Sequence, residues 1–187
     1  MITNIFEIPV YKKYLQLDNT SIASYCYSIK EQDAGRVVSN IGGYQSNNLT
    51  GEHPPLNTLF NCIEEQANEF TQKLNLSKVV LDNIWINING YKDFNLPHTH
   101  LNTMISGVYY VLNNEHGGNI FFNHPAGKDI GMVWENRKNT NNTYNSGKYW
   151  LPATPGTLYL FPSWLEHYVE PNMSKDKERV SISFNCV

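Results

Sequence analysis

The sequence predicts one mainly β domain, a jelly roll preceded by helices that support it. The first observation is a change in the sequence pattern near residue 79, after which short apolar segments alternate with turns rich in Gly and Pro. The second is helical periodicity in the first third of the chain. The third is size: 187 residues with 41% hydrophobic residues suit a single core. We therefore divide the domain into a helical support, residues 1–78, and a jelly-roll core, residues 79–187.

Two segments of the support have helical patterns. One is "SIASYCYSIKEQ"; the stronger is "LNTLFNCIEEQANEFTQKLNL", in which apolar residues form one stripe opposite Glu and Gln. We expect the second helix to pack on a sheet. Between them, "NIGGYQSNNLTGEHPP" has the Gly, Asn and Pro content of an exposed loop, which we expect to border the functional site.

The predicted strands lie in the rest of the chain, in the segments "VVLDNIWININGY", "ISGVYYVLN", "GNIFF", "GTLYLFP", "HYVEP" and "RVSISFNCV". Many short strands separated by turns favour an antiparallel sandwich or barrel. A long polar stretch, residues 124–150, interrupts them. Because structureless connections longer than about 12–15 residues are uncommon in compact domains, we interpret this insertion as a lid.

Composition restricts the function. A formal net charge of −3 disfavours broad binding to nucleic acid, which needs a basic surface. The chain has neither a secretory leader at its start nor an apolar run of roughly 18 residues, so we expect a cytoplasmic protein without a membrane span. Its three cysteines lack CxxC spacing, so neither a disulfide framework nor a zinc ribbon is predicted.

The stretch "PHTH" places His98 and His100 two residues apart. On an extended chain, side chains at i and i+2 point to one face, so both imidazoles can reach one metal ion. Such a pair is a weak signal without a third ligand. The candidate is His167 in "FPSWLEHYVEPN", at the start of another predicted strand.

The last predicted strand carries a second signal. Arg179 and Ser181 are two residues apart and therefore share a face. A guanidinium beside a hydroxyl forms a fork suited to a carboxylate. The opposite face, Val180, Ile182 and Phe184, is apolar, which disfavours a purely surface position for Arg179.

Together, the HxH pair, "SGVYYVLN", "GGNIFF", "TPGTLYLFPSWLEHYVEPN" and "RVSISFN" resemble the Fe(II)- and 2-oxoglutarate-dependent dioxygenases, particularly a branch of small members found in bacteria and phages. The resemblance runs from Asn83 to Asn185, and "FEIPVY" near the start is also similar. It implies a double-stranded β-helix whose mouth binds Fe(II), with O2 as co-substrate. It also implies that His98, His100 and His167 are the metal ligands and that Arg179 and Ser181 bind the far carboxylate of 2-oxoglutarate.

Two further cofactor contacts follow from the same comparison. In the prolyl hydroxylases of this superfamily, a tyrosine of the strand matching "YYVLN" touches the far carboxylate. Since neighbouring residues face opposite ways, only one of Tyr109 and Tyr110 can point inward; the alternation does not decide between them, and we take Tyr110 as the candidate. Asn87 and Asn89 alternate with apolar residues in "WINING" and are candidates to line the barrel, with Asn89 assigned to the cofactor.

The sequence departs from the family at one ligand. These enzymes usually combine two histidines with one carboxylate, and His100 occupies the position of the carboxylate. In the alternative alignment His100 is the first ligand, Asn102 takes the acidic position and His98 lies outside. Asp93 and Glu166 are the nearby acids, and we assign neither. A neutral third ligand would hold iron less firmly, so zinc or nickel could compete for the site.

Two other functions remain open at this point. A zinc hydrolase would use the same histidines to activate water. A non-catalytic jelly-roll module would bind a structural metal or none. The substrate, a small molecule or a peptide, is not specified by the sequence. The N-terminal segment and exposed aromatic residues are candidates for a homodimer surface.

Overall fold

The computed structural model describes all 187 residues. Its helices are α1 (Asn19–Lys30), α2 (Asn57–Lys73) and α3 (Gly127–Trp134), with short 3-10 segments at Pro54–Leu56 and Glu135–Arg137. Its strands are β1 (Tyr11–Tyr14), β2 (Asn40–Ile41), β3 (Tyr44–Gln45), β4 (Leu81–Asn89), β5 (Phe94–His98), β6 (Ile105–Leu112), β7 (Ile120–Asn123), β8 (Lys148–Leu151), β9 (Thr157–Pro162), β10 (His167–Val169) and β11 (Arg179–Cys186).

The strands form two antiparallel sheets. The six-stranded sheet has the order β1-β9-β6-β11-β4-β3, and the five-stranded sheet has the order β2-β5-β10-β7-β8. The prediction of a mainly β, antiparallel double-sheet fold with helices near its start is therefore confirmed. Strands from distant parts of the chain alternate within each sheet, so the ends of β5 and β10 become neighbours.

The alternation of side chains in β11 separates two cores. Val180, Ile182 and Phe184 face the helices and belong to the larger core, with the apolar stripe of α2. Arg179 and Ser181 face the other way, into the space between the sheets. A smaller apolar cluster, which includes Val108, Tyr110, Ile120, Phe122, Tyr159 and Phe161, fills one part of that space. The remaining part holds the polar site described below.

The first 78 residues contribute strands to both sheets as well as helices. β1 pairs with β9 at one edge of the six-stranded sheet, and β3 pairs with β4 at the other edge. β2 pairs with β5 in the five-stranded sheet. These edge strands were not predicted because their stabilisation comes from backbone pairing with distant strands, and not from a local hydrophobic pattern.

The segment predicted as an exposed loop contains β2 and β3. Gly42 and Gly43 both have positive φ, +64° and +65°, and they pass the chain from one sheet to the other. Gln45 is 4% exposed, so the segment is partly buried. A Gly–Gly pair commonly forms the turn of a β-hairpin. Here β2 pairs with β5 and β3 pairs with β4, and the sequence of the segment alone does not indicate these distant partners.

The insertion at residues 124–150 contains α3, the second 3-10 segment and the start of β8. No residue of α3 is buried, and Met132, Val133 and Trp134 are exposed. Its function as a lid stays a prediction. No helix in the chain is both long enough and apolar enough to span a bilayer.

Candidate active site

Three histidines meet between the sheets. His98 ends β5 and His167 begins β10, and they are register partners in the antiparallel pair. His100 follows β5 and is held by a hydrogen bond from its backbone N–H to the carbonyl of Ser163, 3.0 Å. The ligand atoms of the three imidazoles all lie within 4.8 Å of one another, close enough to bind one ion.

Backbone carbonyls orient two of the rings. His98 Nδ1 lies 2.7 Å from the carbonyl oxygen of Leu96, and His167 Nδ1 lies 2.9 Å from that of Leu165. A carbonyl only accepts, so each Nδ1 donates its proton and each Nε2 keeps a free lone pair. This is the arrangement that fixes the tautomer of a metal-binding histidine.

Burial favours the neutral imidazoles. It lowers the pKa of His167 to about 3 and that of His100 to about 4, with the neighbouring imidazoles adding to both shifts. Burial also lowers the pKa of His98, against the hydrogen bond to Leu96. All three rings are therefore unprotonated at neutral pH, which is the form that binds metal.

No carboxylate joins the three histidines. Asp93 accepts a hydrogen bond from the backbone N–H of Gly90, 2.7 Å, and lies outside the cavity. Glu166 is exposed and accepts from Asn123. Asn102, the residue of the alternative alignment, is also exposed and lines neither of the two cavities at the site. The donor atoms that the site offers to a metal ion are therefore three neutral imidazole nitrogens.

Arg179 is the second feature of the same cavity. It is 1% exposed, and its Nη1 donates to the carbonyls of Gly117 and Glu170. Its Nη2 has no partner. Burial lowers the pKa of Arg179, with Tyr110 opposing the shift, but an arginine remains charged at neutral pH. A buried guanidinium with unused donors is costly unless an anion completes it.

Other buried polar atoms around Arg179 also lack partners. They are the Tyr110 hydroxyl, Asn87 Oδ1, and both Nδ2 and Oδ1 of Asn89. Asn89 is the register partner of Arg179, and Tyr110 that of Ser181. Such a group of unsatisfied atoms is expected where a polar ligand binds.

The predicted residues are brought together to different degrees. Arg179 and Ser181 line the cavity with the three histidines. Tyr110 and Asn89 lie next to Arg179 on neighbouring strands but do not line that cavity. The alternation of β6 also resolves the choice of tyrosine orientation: Tyr110 lies between the sheets, whereas Tyr109 points to α1 and bonds Asn19.

Sequence reasoning missed several residues of the cavity. Trp85 shares the inward face of β4 with Asn87, and its ring centroid is 5.9 Å from that of His100. Because Trp85 is two residues from Asn87, the two side chains were expected on the same face of the strand, and this spacing could have identified Trp85. Ser39 and Asn95 also line the cavity, through the β2–β5 pair, and nothing local to either residue indicates this.

Residues 83–185, more than half of the 187-residue chain, match the family described as "Putative 2OG-Fe(II) oxygenase". The chain belongs to this family. It is an oxygenase whose cofactors are Fe(II) and 2-oxoglutarate. The donor set fits them: three unprotonated imidazoles for the metal, and an incompletely bonded arginine for a dicarboxylic acid.

Solved structures of the same superfamily share the fold. A prolyl-4-hydroxylase from Pseudomonas putida is 13% identical, with a TM-score of 0.67 and coverage of 96% of this chain and 92% of that one. A collagen prolyl hydroxylase from Paramecium Bursaria Chlorella virus-1, in complex with 2-oxoglutarate, is 12% identical, with a TM-score of 0.60 and coverage of 95% and 94%.

A third similar structure is a non-heme α-ketoglutarate-dependent carbocyclase from nogalamycin biosynthesis, 13% identical, with a TM-score of 0.67 and coverage of 96% and 79%. No protein with a curated function matches the sequence. Because hydroxylases and a carbocyclase share this fold, the fold does not select the reaction.

Proposed function

We propose that this oxygenase is a hydroxylase in which His98, His100 and His167 hold Fe(II) and Arg179 holds the far carboxylate of 2-oxoglutarate. The observation that carries the proposal is the incompletely bonded, buried Arg179 in the same cavity as the three imidazoles. Taken alone, a cluster of histidines or a buried arginine can have a purely structural role. Their presence in one cavity matches a ligand that carries a metal-chelating end and an anionic end.

The three-histidine set is favoured over the alternative alignment by position. Both His98 and His100 face His167, with ring centroids 4.4 and 5.2 Å from it. Asn102 has a positive φ of 60°, is exposed, and lines neither of the two cavities at the site. Three protein ligands leave positions open on an octahedral ion, as catalysis requires.

The carboxylate subsite would combine charge with directed hydrogen bonds. Arg179 Nη2 supplies a charged donor, and Ser181 presents its hydroxyl from the same face of β11. The Tyr110 hydroxyl and the Asn89 amide are additional unpaired groups beside Arg179. Since charge-assisted hydrogen bonds are stronger inside a protein than in water, this subsite would set the affinity for 2-oxoglutarate.

Bound Fe(II) would supply the redox chemistry by which O2 and 2-oxoglutarate oxidise an unactivated C–H bond. The protein orients both ligands and limits water access. The walls include Val108, Ile120 and Phe161, whose apolar side chains exclude water on one side. We propose that residues 124–150 close the other side, because the exposed Met132 and Trp134 offer an apolar face for a closed state.

A hydrolase and a structural metal site have less support. A zinc hydrolase needs a general base near the metal, and no carboxylate lies with the three histidines. Structural zinc sites usually have four protein ligands, whereas three residues meet here. Neither function explains the incompletely bonded Arg179.

The test is an anaerobic titration of metal-stripped protein, first with Fe(II) and then with 2-oxoglutarate. Chelation of a ketoacid by iron produces a charge-transfer absorption, which should appear and saturate. The band should be absent in His167→Ala and present in His116→Ala, which changes an exposed histidine outside the site. Stoichiometric metal binding without a band would contradict the proposed function.

A further inference from the structure

We infer that the substrate of this enzyme is a small molecule with an anionic group, a carboxylate or a phosphate, which Arg36 binds in a cleft beside the metal site. This inference rests on the proposed function, because it treats the three histidines as the reacting centre. The cleft is distinct from the cavity that Arg179 lines.

The cleft has a volume of about 390 Å³, within the range of sites for small ligands. It contacts the inner cavity through residues that line both: Ser39, Trp85, His98 and His100. A molecule in the cleft therefore lies against two of the proposed metal ligands, as a substrate must. The Arg179 side of the cavity remains free for 2-oxoglutarate.

Arg36 is the cation of this cleft. Its guanidinium carbon lies 5.9 Å from the ring centroid of Trp85, and its Nη2 donates to Asn48 Oδ1 at 2.6 Å. Its Nε is buried without a partner. A guanidinium has five N–H donors, so one hydrogen bond leaves most of its capacity unused. The cation–π contact with Trp85 and the hydrogen bond to Asn48 orient the guanidinium.

The charge of Arg36 has no counter-ion in the protein. Arg36 takes part in no salt bridge, and no Asp or Glu lines the cleft. Asp33, three residues earlier, accepts hydrogen bonds from Gly35, Tyr44 and Asn47 instead. No acidic side chain lining the cleft neutralises Arg36, so an anion is the group that the cleft complements.

The backbone around Arg36 is constrained. Its N–H donates to the carbonyl of Gln45 at 2.8 Å, which ties it to β3. Gly35 has a φ of +72°, and a Cβ there would lie 2.8 Å from the same carbonyl oxygen. Gln45 also lines the cleft, and its buried Oε1 has no partner. A substrate N–H near the anionic group would satisfy that acceptor.

Distances limit the size of the substrate. The Arg36 guanidinium is 5.9 Å from the Trp85 ring, and the Trp85 ring is 5.9 Å from the His100 ring. These two steps set an upper limit on the distance between the Arg36 guanidinium carbon and the His100 ring centroid. A small metabolite can span it, so the reacting carbon and the anionic group can belong to one small molecule.

The experiment measures binding by ligand-observed NMR to zinc-loaded protein, with 2-oxoglutarate at the lowest concentration that fills the inner site. Two matched pairs serve as probes: N-acetylphenylalanine with its amide, and phenyl phosphate with phenol. The first pair tests carboxylates and the second tests phosphates. The variants are Arg36→Gln, Arg36→Lys and, as a charge-matched control, Lys78→Gln, which changes an exposed cation outside the cleft and outside residues 124–150.

At least one anion should bind roughly tenfold more tightly than its neutral partner, because hydrogen bonds to a charged group are stronger than those between neutral groups. Arg36→Gln should abolish that preference, Arg36→Lys should retain part of it, and Lys78→Gln should retain it fully. The pair that shows the preference identifies the anionic group. The inference is overturned if charged and neutral probes bind equally, if Arg36→Gln binds like the parent, or if neither anion binds below about 10 mM.

The charge-transfer titration distinguishes a failure of the substrate inference from a failure of the proposed function. A band in the parent protein and in Arg36→Gln, with no anion preference, would overturn the substrate inference and leave the oxygenase site intact. Absence of the band in the parent would overturn the proposed function, whatever the probes do.

Discussion

His98 and His167 are direct partners across the β5–β10 pair, and their imidazole centroids are 4.4 Å apart. Two residues from distant parts of the chain are thus positioned by one backbone pairing. In both rings Nδ1 is hydrogen-bonded to a carbonyl two residues earlier, so Nε2 is the nitrogen that is free to bind a metal. The proposed metal site is a consequence of strand register.

Removal of either partner should remove the metal. His167→Ala leaves two imidazoles, and we expect Fe(II) affinity to fall by more than about a hundredfold, since loss of even an outer contact to a ligand costs 10–100-fold. Metal binding by calorimetry measures this. His116→Ala, on an exposed histidine, is the control. Unchanged affinity in His167→Ala would show that the ion binds elsewhere.

A carboxylate at position 100 should change which metal is held. His100→Asp restores the usual combination of two histidines and one carboxylate and adds a negative charge to the site. We expect tighter Fe(II) binding than in the parent, measured by competition with a chelator. His100→Glu tests the same change with a longer side chain. If neither variant binds Fe(II) more tightly, the neutral third ligand does not limit iron affinity.

Arg179 should control 2-oxoglutarate and not the metal. In Arg179→Gln we expect 2-oxoglutarate affinity to fall by about a hundredfold or more, because a buried ion pair is lost. Arg179→Lys keeps the charge without the fork and should fall less. Both should keep the metal affinity of the parent. Equal 2-oxoglutarate affinity in Arg179→Gln would refute the assignment of the carboxylate subsite.

The two adjacent tyrosines should respond in opposite ways. Tyr110→Phe removes a buried hydroxyl without a partner, so we expect unchanged or higher stability without 2-oxoglutarate, and affinity for it about tenfold lower. Tyr109→Phe removes the 2.5 Å hydrogen bond to Asn19, so stability should fall by about 1 kcal/mol with 2-oxoglutarate affinity unchanged. Denaturant unfolding and the charge-transfer titration measure the two quantities. The reverse pattern would place Tyr109 at the cofactor.

Gly118 should be required for the position of Arg179. Its φ is +80°, and a Cβ would lie 2.7 Å from the carbonyl oxygen of Glu170 and 3.0 Å from Arg179 Nη1. Gly118→Ala should therefore cost more stability than Gly51→Ala, which shares a positive φ of +87° but meets no atom within 4 Å. We expect about 1–3 kcal/mol for the backbone strain common to both and a further loss at Gly118. Only Gly118→Ala should weaken 2-oxoglutarate binding. Equal effects of the two substitutions on stability would show that the contact with Arg179 is unimportant.

Local periodicity was sufficient for much of the fold. The alternation in "RVSISFN" predicted that Arg179 and Ser181 share a face opposite Val180 and Ile182, and β11 has this arrangement. The stripe in α2 predicted its buried face in the same way. These predictions succeed because side-chain direction depends on the local backbone period alone.

The parts that periodicity missed depend on pairing between distant segments. The short strands β2 and β3 have two residues each, too few for a pattern, and they form because β5 and β4 offer backbone partners. Arg36, Ser39 and Gln45 enter the cleft through these strands and the turn before them. The Gly, Asn and Pro content of the segment beginning at residue 40 predicted that it borders the site, and Gln45 and Asn48 line the cleft with His98 and His100. That content did not indicate which residues face the histidines.

The sequence by itself determined the antiparallel β class, the inward faces of β4 and β11, and the candidate residues His98, His100, His167, Arg179 and Ser181. Only the tertiary structure decided that the three imidazoles converge, that Tyr110 and not Tyr109 lies beside Arg179, and that Arg36 stands in a cleft without a counter-ion. The physical reason is that side-chain orientation is set within a strand, whereas proximity between strands is set by register and by the burial of both sheets against one another.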